Sequence, residues 1–268
     1  MRRSDDGPKF ATEADMCDQL IDYAGARGWV CYPETAGHDL LLVRKTDGYQ
    51  IGIQAKLQAN LEVLSQSVRG DGFWVSDGPD FRAVLVPYYC AKVSMLQEFC
   101  PYIGTTLITA RPGKVDRQGS VRMPNGYGWT SAFRPGLPGE PGWDAGSGRE
   151  WFELCPSRRC RLPEYVPDVR AGVPAPVQLT HWKIGAIKIA VLLERRGHVR
   201  REDFKHLHID HRRWIASGPN SILIADPPHG FRQRDGGKPG MGFKAEHPRN
   251  YDEIAADFEK WAPRNGVL

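Results

Sequence analysis

The 268-residue chain lacks the features that mark a membrane or secreted protein. It has no apolar run long enough to cross a bilayer, and its N-terminus, Met1-Arg2-Arg3, has no signal-peptide pattern. Its six cysteines are scattered, and reduced thiols are the default in a long chain with no secretory signal. We therefore expect a cytoplasmic protein that does not bind membranes.

The chain also lacks a strong excess of either charge. It has 36 Lys and Arg residues against 32 Asp and Glu, which gives a net charge of +4. A mildly basic protein of this kind can bind a polyanion, but its composition does not require one. Its length suffices for one large domain or two small ones.

The most informative pattern is a predicted β-hairpin. Two short aliphatic runs, at residues 40–43 and 50–55, flank an Asp47-Gly48 turn signal. Folding the chain at this turn brings Asp39 opposite the end of the second strand, which carries Gln54 and Lys56. Because Gln54 and Lys56 are two residues apart, both should point to the same face of the sheet. A carboxylate, an amide oxygen and an ammonium group therefore converge, which predicts a divalent-metal site beside a cation.

The elements around the hairpin have a definite order. An amphipathic helix capped by Thr12 precedes it, and its first turn carries Glu13. A strand at 29–32 leads into the hairpin, and a helix at 61–66 and a buried strand at 81–87 follow it. The predicted order is helix, three strands, helix, strand.

This order and these motifs resemble the PD-(D/E)xK, or restriction-endonuclease-like, nuclease superfamily over roughly residues 10 to 90. In the resemblance, Glu13 is the helix carboxylate, Asp39 the hairpin aspartate, and Gln54-Ala55-Lys56 the (D/E)-x-K element. It implies an α/β fold with a mixed sheet flanked by helices. It also implies a DNA substrate, a Mg²⁺ or Mn²⁺ cofactor, and a bacterial or phage-encoded origin.

One position departs from the family pattern, because Gln54 stands where a carboxylate is commoner. An amide oxygen can ligate Mg²⁺ but brings no charge. Glu34, before Asp39, or Glu13 could restore the missing charge, and the sequence does not choose between them. We expect Asp39, Gln54 and Glu34 as metal ligands, and Gln66 as a further contact to DNA.

The residue types suit phosphodiester hydrolysis, which needs an activated water and neutralisation of charge on the phosphate. A bound divalent cation can supply both. Lys56 would polarise the attacking water or stabilise the charged transition state. In the alternative interpretation, Asp39 and Lys56 form an ordinary exposed ion pair.

Residues 111–177 form a separate, irregular segment. Residues 111–176 contain 10 of the 21 prolines and 10 of the 29 glycines, which disfavour helices. The aromatic residues of this segment include Trp129, Phe133, Trp143, Trp151 and Phe152, too many for a free linker. They could pack on the protein's own surface or stack on nucleic-acid bases.

The C-terminal residues 178–268 predict a second, smaller α+β domain, after a nuclease-like domain at residues 1–110. Helices are expected at 182–194, 201–207 and 210–215, with strands at 221–225 and 240–244. Three helices followed by a β-hairpin resemble a winged-helix domain. Arg212, Arg213 and Lys205 are the predicted DNA contacts, although a solvated basic face would have the same composition.

Together these patterns predict a metal-dependent endodeoxyribonuclease whose C-terminal domain binds DNA or a protein partner. The combination also resembles the endonuclease subunit of bacterial heteromeric transposases. The competing hypothesis is a catalytically inactive nuclease fold that acts as a DNA-binding regulator or a protein-binding adaptor. The oligomeric state is left open, with a homodimer among the alternatives.

Overall fold

The computed structural model describes residues 8–58, 60–68, 77–123, 126, 128–139, 151–173, 178–215, 221–236 and 239–263. Two compact units divide these residues. The first unit comprises Met1–Leu162 and Arg170–Pro176, and the second comprises Pro163–Val169 and Val177–Leu268.

The first unit contains three helices and ten strands in its described part. In chain order they are α1 (Glu13–Gly25), β1 (Trp29–Thr35), β2 (His38–Arg44), β3 (Gln50–Ala55), α2 (Leu61–Ser67), β4 (Asp77–Gly78), β5 (Phe81–Pro87), α3 (Val93–Phe99) with a 3₁₀ turn at Cys100–Ile103, β6 (Thr106–Ala110), β7 (Ser120–Arg122), β8 (Trp129–Ser131), β9 (Phe133–Arg134) and β10 (Arg158–Arg159). The predicted order of the first six elements is confirmed, with the short β4 inserted before β5.

A six-stranded mixed sheet organises this unit, in the order β1-β2-β3-β5-β6-β9. β1, β2 and β3 are antiparallel, with Leu40 opposite Ile53 in the predicted hairpin. β3, β5 and β6 are parallel, with Ala55 opposite Leu85. These three strands therefore end at one edge of the sheet, which we call the carboxyl edge.

Apolar side chains cover both faces of the sheet. On one face, Met16 and Leu20 of α1 pack with Ile53 of β3. On the other face, residues of α2 and α3 pack against Val84 and Val86 of β5. The predicted α/β class, a mixed sheet flanked by helices, is confirmed at this level.

The proline- and glycine-rich segment contributes to the same core. Phe133, Leu137 and Trp151 are buried together with residues of α1 and the central strands. Trp129 is exposed, and Trp143 lies outside the described residues. Much of the irregular segment is therefore part of the first unit and completes its core.

The second unit is mainly helical in its described part. Its elements are α4 (His181–Arg196), α5 (Arg201–His206), α6 (Arg212–Ile215), β11 (Leu223–Asp226), β12 (Gly230–Gln233), a 3₁₀ turn at Pro239–Gly242, α7 (Phe243–Glu246), α8 (Pro248–Ala256) and α9 (Phe258–Trp261). α4 is capped by Thr180 and ends at Gly197, which has a left-handed conformation, φ 75°. Its buried side chains form the centre of a separate apolar core.

The predicted returning strand at 240–244 is wrong. The partner of β11 is β12, which follows a tight turn closed by a hydrogen bond from His229 N–H to Asp226 O. Gly240, Met241 and Gly242 have φ values of 54°, 55° and 88°, which an extended strand cannot accommodate. The residues from Gly240 to Lys244 therefore form part of a 3₁₀ turn and the start of α7.

A short contact joins the hairpin of the second unit to the chain before α5. Val199 and Phe231 form a β-bridge, in which each main-chain N–H donates to the other's carbonyl at 2.8 Å. Gly230 permits this approach, because a Cβ atom there would lie 2.5 Å from the Val199 carbonyl oxygen. The hairpin is therefore tied to the segment between α4 and α5.

The described helices include none that is both long enough and apolar enough to span a membrane.

The close approach of β3 to His38 gives a first testable prediction. A Cβ atom at Gly52 would lie 2.4 Å from Cε1 of the buried His38 ring. Gly52→Ala should therefore lower the free energy of unfolding by about 1–3 kcal/mol, as overpacking does. Gly25→Ala is the matched control, because a Cβ atom there meets nothing within 4 Å. Equal stability of the two variants in urea denaturation would contradict the prediction.

Candidate active site

The candidate site begins at the first turn of α1. The Thr12 side chain accepts a hydrogen bond from Asp15 N–H at 3.1 Å, and Thr12 N–H donates to the Asp15 carboxylate at 2.9 Å. This reciprocal cap fixes where the helix starts. Glu13 is therefore held at the first position of α1.

Glu13 contacts the end of β3, which lies 43 residues along the chain. Its carboxylate accepts from Lys56 Nζ at 3.3 Å and from Leu57 N–H at 3.3 Å. Lys56 N–H in turn donates to Leu85 O at 3.0 Å. The ion pair thus joins the start of α1 to the carboxyl edge.

Asp39 lies beside this pair, on β2. Its carboxylate accepts a hydrogen bond from Ala55 N–H at 2.7 Å. Burial raises the pKa of Asp39, and the Ala55 hydrogen bond and the Lys56 charge only partly oppose that effect. Asp39 is thus a carboxylate that binds a proton more readily than usual.

Glu34 is the third carboxylate near Lys56, and we call Glu13, Asp39 and Glu34 the acidic group. Its carboxylate accepts from Gly172 N–H at 3.0 Å. Burial raises the pKa of Glu34 to about 7, and the nearby Asp39 charge adds to the shift, although the Gly172 hydrogen bond and Lys56 oppose it. Near neutral pH, Glu34 can therefore release a proton when a cation approaches.

Gln54 is held differently. Its side-chain amide donates to Gly37 O at 2.7 Å, and not to Glu13, Asp39 or Lys56. A glutamate here could not donate to Gly37 O, which gives a local reason for the amide at this position.

The structure therefore brings Glu13, Asp39 and Lys56 together with Glu34 near them, and holds Gln54 against the adjoining turn. Within the described ranges, no three His, Cys, Asp or Glu side chains are grouped so that they alone could hold a metal ion. A metal site here would need the Gln54 amide oxygen, main-chain oxygens, water or movement of Glu13 away from Lys56.

Several residues near the site carry no local signal in the sequence. Arg170 binds Asp15 and Asp18 of α1, each at 2.7 Å, and the adjacent Gly172 holds Glu34. The Gly172–Glu34 contact spans 138 residues. The sequence did not single out His38. The nearby Gly52 was a usable signal for it, because a side chain at that position would meet the His38 ring.

Cys17 is close to the acidic group but is no nucleophile. It is fully buried in α1, and both burial and the nearby carboxylates raise the pKa of its thiol. The thiolate form is therefore strongly disfavoured.

The other predicted DNA contacts belong to other elements of the chain. Gln66, on α2, donates to Glu62 at 3.2 Å. In the second unit, Lys205 is exposed on α5, and the Arg212 side chain is 85% exposed at the start of α6. The Arg213 side chain lies outside the described part of the chain.

Comparison of the chain with protein-family models, with curated proteins and with solved structures finds no match in any of the three.

The raised pKa of Glu34 predicts a pH-dependent stability. Because the folded-state pKa, about 7, exceeds the ordinary value of 4.5, the folded protein binds this proton more tightly than the unfolded chain does. The stability that Glu34 contributes is fully present below about pH 4.5 and is lost as the pH rises through 7. Denaturant unfolding in EDTA should show Glu34→Gln gaining stability relative to the wild type between pH 5 and 8. A difference that does not change with pH would contradict this assignment.

Proposed function

We propose that the first unit hydrolyses phosphodiester bonds of DNA and uses a bound Mg²⁺ or Mn²⁺ ion, as the PD-(D/E)xK resemblance implies. The observation that carries the proposal is the Glu13–Lys56 contact beside Asp39, at 3.3 Å between Nζ and Oε2. It joins the helix carboxylate, the hairpin aspartate and the lysine of the motif, which are far apart in the sequence. A restriction-endonuclease-like fold would account for this meeting, for the mixed sheet and for the order of α1, β1–β3, α2 and β5.

The carboxylate oxygens at this edge are the type of ligand that a hard divalent cation prefers. Glu13, Glu34 and Asp39 supply three carboxylates, whereas Lys56 supplies one positive charge. The pKa values of Asp39 and Glu34 are raised because burial is not fully offset by that charge. A divalent cation would neutralise this excess negative charge. Carboxylates with perturbed pKa values are common at functional sites.

Asp39 and Glu34 are the groups that would hold such an ion, with the Gln54 amide oxygen and the Ala55 carbonyl as neutral donors. A bound divalent cation supplies a water of lowered pKa and neutralises charge on the phosphate. Glu13 is a positioning residue in the present arrangement, since its carboxylate orients the Lys56 ammonium.

Lys56 is the proposed catalytic residue of the chain itself. Its ammonium group would donate a hydrogen bond to the attacking water or to the phosphate oxygens, where negative charge develops. The water oxygen forms the new bond to phosphorus as the bond to the leaving oxygen breaks, and the leaving oxygen then takes up a proton.

The cleavage assay tests the proposal directly. Plasmid and short DNA duplexes should be cut with Mg²⁺ or Mn²⁺ and left intact in EDTA. Asp39→Asn and Lys56→Met should each lower the rate by at least about 100-fold, as loss of a transition-state contact does. Asp22→Asn and Lys45→Met are matched controls at exposed positions and should retain activity.

Full activity of Asp39→Asn would rule out this edge as the catalytic centre. If the wild type binds DNA but does not cleave it with or without metal, the alternative of an inactive DNA-binding regulator or adaptor is supported.

For the second unit we propose a winged-helix-like DNA-binding role. The order α4, α5, α6 and the β11–β12 hairpin, with Val199 bridged to Phe231, supports a winged-helix arrangement. The exposed Arg212 on α6 supports contact with a polyanion. A protein partner is the competing proposal for the same surface.

Salt dependence separates these two proposals. In full-length Asp39→Asn protein, Arg212→Gln with Arg213→Gln should weaken duplex binding. The slope of log affinity against log salt should also flatten by about 1.8, since each phosphate contact contributes about 0.9. Lys45→Gln with Arg158→Gln removes two exposed charges from the first unit and should leave the slope unchanged. An unchanged slope in the Arg212 and Arg213 variant would favour a protein partner.

A further inference from the structure

A cleft in the first unit lies outside the candidate active site. It has a volume of about 550 Å³, runs along one face of β6, and is bounded by α3 and the chain around Arg134. Alternate residues along β6 and directly beside it line the cleft, among them Thr105, Thr109 and Arg111. We call it the β6 cleft.

The charge of the β6 cleft is of one sign. Arg111 and Arg134 are its charged lining residues, and no acidic side chain lines it. Of the carboxylates that the structure describes, none lies within 4 Å of either guanidinium as an ion-pair partner. The Arg111 guanidinium instead lies over the Tyr88 ring, 4.0 Å from its centre. The cleft therefore presents two uncompensated cations and an aromatic face.

A buried hydroxyl group adds a second, independent signal. Thr105 lines the cleft and is fully buried, and its Oγ1 atom has no hydrogen-bond partner within the described structure. Buried polar atoms are nearly always hydrogen-bonded, because an unpaired one costs about 1–3 kcal/mol. An orphaned hydroxyl in the lining of a cleft that also carries two arginines points to a ligand with acceptor oxygens.

One end of the cleft lies at the same sheet edge as the candidate active site. Lys56, Tyr88 and Arg111 are the residues that directly follow β3, β5 and β6, so all three lie at the carboxyl edge. Neighbouring strands are about 4.8 Å apart, which puts β6 roughly 10 Å from β3. A chain of phosphates that passes Lys56 can therefore continue into the β6 cleft.

We propose that the β6 cleft binds a single strand of nucleic acid through its phosphate groups, as the continuation of the strand that reaches Lys56. Arginine pairs with phosphate oxygens through two parallel N–H donors, and the Thr105 hydroxyl supplies a further donor. The Tyr88 ring, 4.0 Å from the Arg111 guanidinium, helps to hold that cation in place. The assignment of this strand as the substrate rests on the proposed nuclease function.

The test measures binding without catalysis. A fluorescent single-stranded oligonucleotide is titrated in EDTA against full-length protein that carries Arg212→Gln and Arg213→Gln, so that the second unit contributes less. Adding Arg111→Gln and Arg134→Gln should weaken binding, and should flatten the slope of log affinity against log salt by about 1.4, at about 0.7 per phosphate on single strands. Adding Lys45→Gln and Arg158→Gln instead, at the other end of the strands, should leave the slope unchanged.

Thr105→Val separates binding from folding. Replacing the unpaired hydroxyl by a methyl group of similar shape should leave the free energy of unfolding unchanged or raise it, because a desolvated polar atom is removed. The same change should weaken oligonucleotide binding several-fold. Reduced affinity in a protein of undiminished stability supports a ligand role for Thr105.

Four outcomes would overturn the proposal. They are wild-type affinity in the Arg111 and Arg134 variant, wild-type affinity in Thr105→Val, equal competition by polyglutamate, and equal competition by inorganic phosphate at the same phosphate concentration. Polyglutamate competition would indicate an acidic protein, and phosphate competition a free ligand.

Failure of this proposal can be distinguished from failure of the nuclease proposal. If the wild type cleaves DNA but the Arg111 and Arg134 variant binds normally in EDTA, the β6 cleft has no role. If no cleavage occurs but these variants lose affinity in EDTA, the cleft remains a nucleic-acid site and the nuclease function fails.

Discussion

The candidate site of the first unit is organised around one interaction, the contact of the Lys56 ammonium with the Glu13 carboxylate at 3.3 Å. It is the point at which the start of α1 meets the end of β3, and Asp39 and Glu34 lie around it. Burial raises the pKa values of Asp39 and Glu34, and the Lys56 charge only partly opposes that effect. Stability alone gives no reason to gather such charges, because apolar residues would pack there at lower cost. The proposed binding of a cation would give a reason.

The sheet topology explains why so much polar chemistry lies in one place. Three parallel strands end at the carboxyl edge, and the residues that follow them are Lys56, Tyr88 and Arg111. Ligands of open α/β sheets commonly bind outside the carboxyl ends of strands. The acidic group therefore lies along the same edge as Tyr88 and Arg111 of the β6 cleft.

Local patterns were enough to predict the elements of this edge. Thr12 marked the start of α1, and Asp47-Gly48 marked the turn that sets Leu40 opposite Ile53. These signals work because capping and tight turns depend on a few neighbouring residues. The closeness of Glu13 to Lys56 followed from the family resemblance and not from any local rule.

Contacts between distant segments could not be predicted in this way. Gly172 holds Glu34 across 138 residues, and Phe133 and Trp151 pack into a core formed by much earlier elements. The misplaced strand at 240–244 has a similar cause. Gly230 begins the true partner strand because a close approach to the Val199 carbonyl excludes a side chain, and that constraint exists only once the chain is folded.

The central claim is that the carboxyl edge binds a divalent cation through Asp39. Titration of the full-length protein with Mn²⁺ at pH 8, with free Mn²⁺ followed by electron paramagnetic resonance, tests it most directly. At this pH Glu34, with a pKa raised to about 7, is mostly ionised. We expect at least one bound Mn²⁺ that is lost in Asp39→Asn and retained in Asp22→Asn. Identical Mn²⁺ binding by the wild type and Asp39→Asn would contradict it.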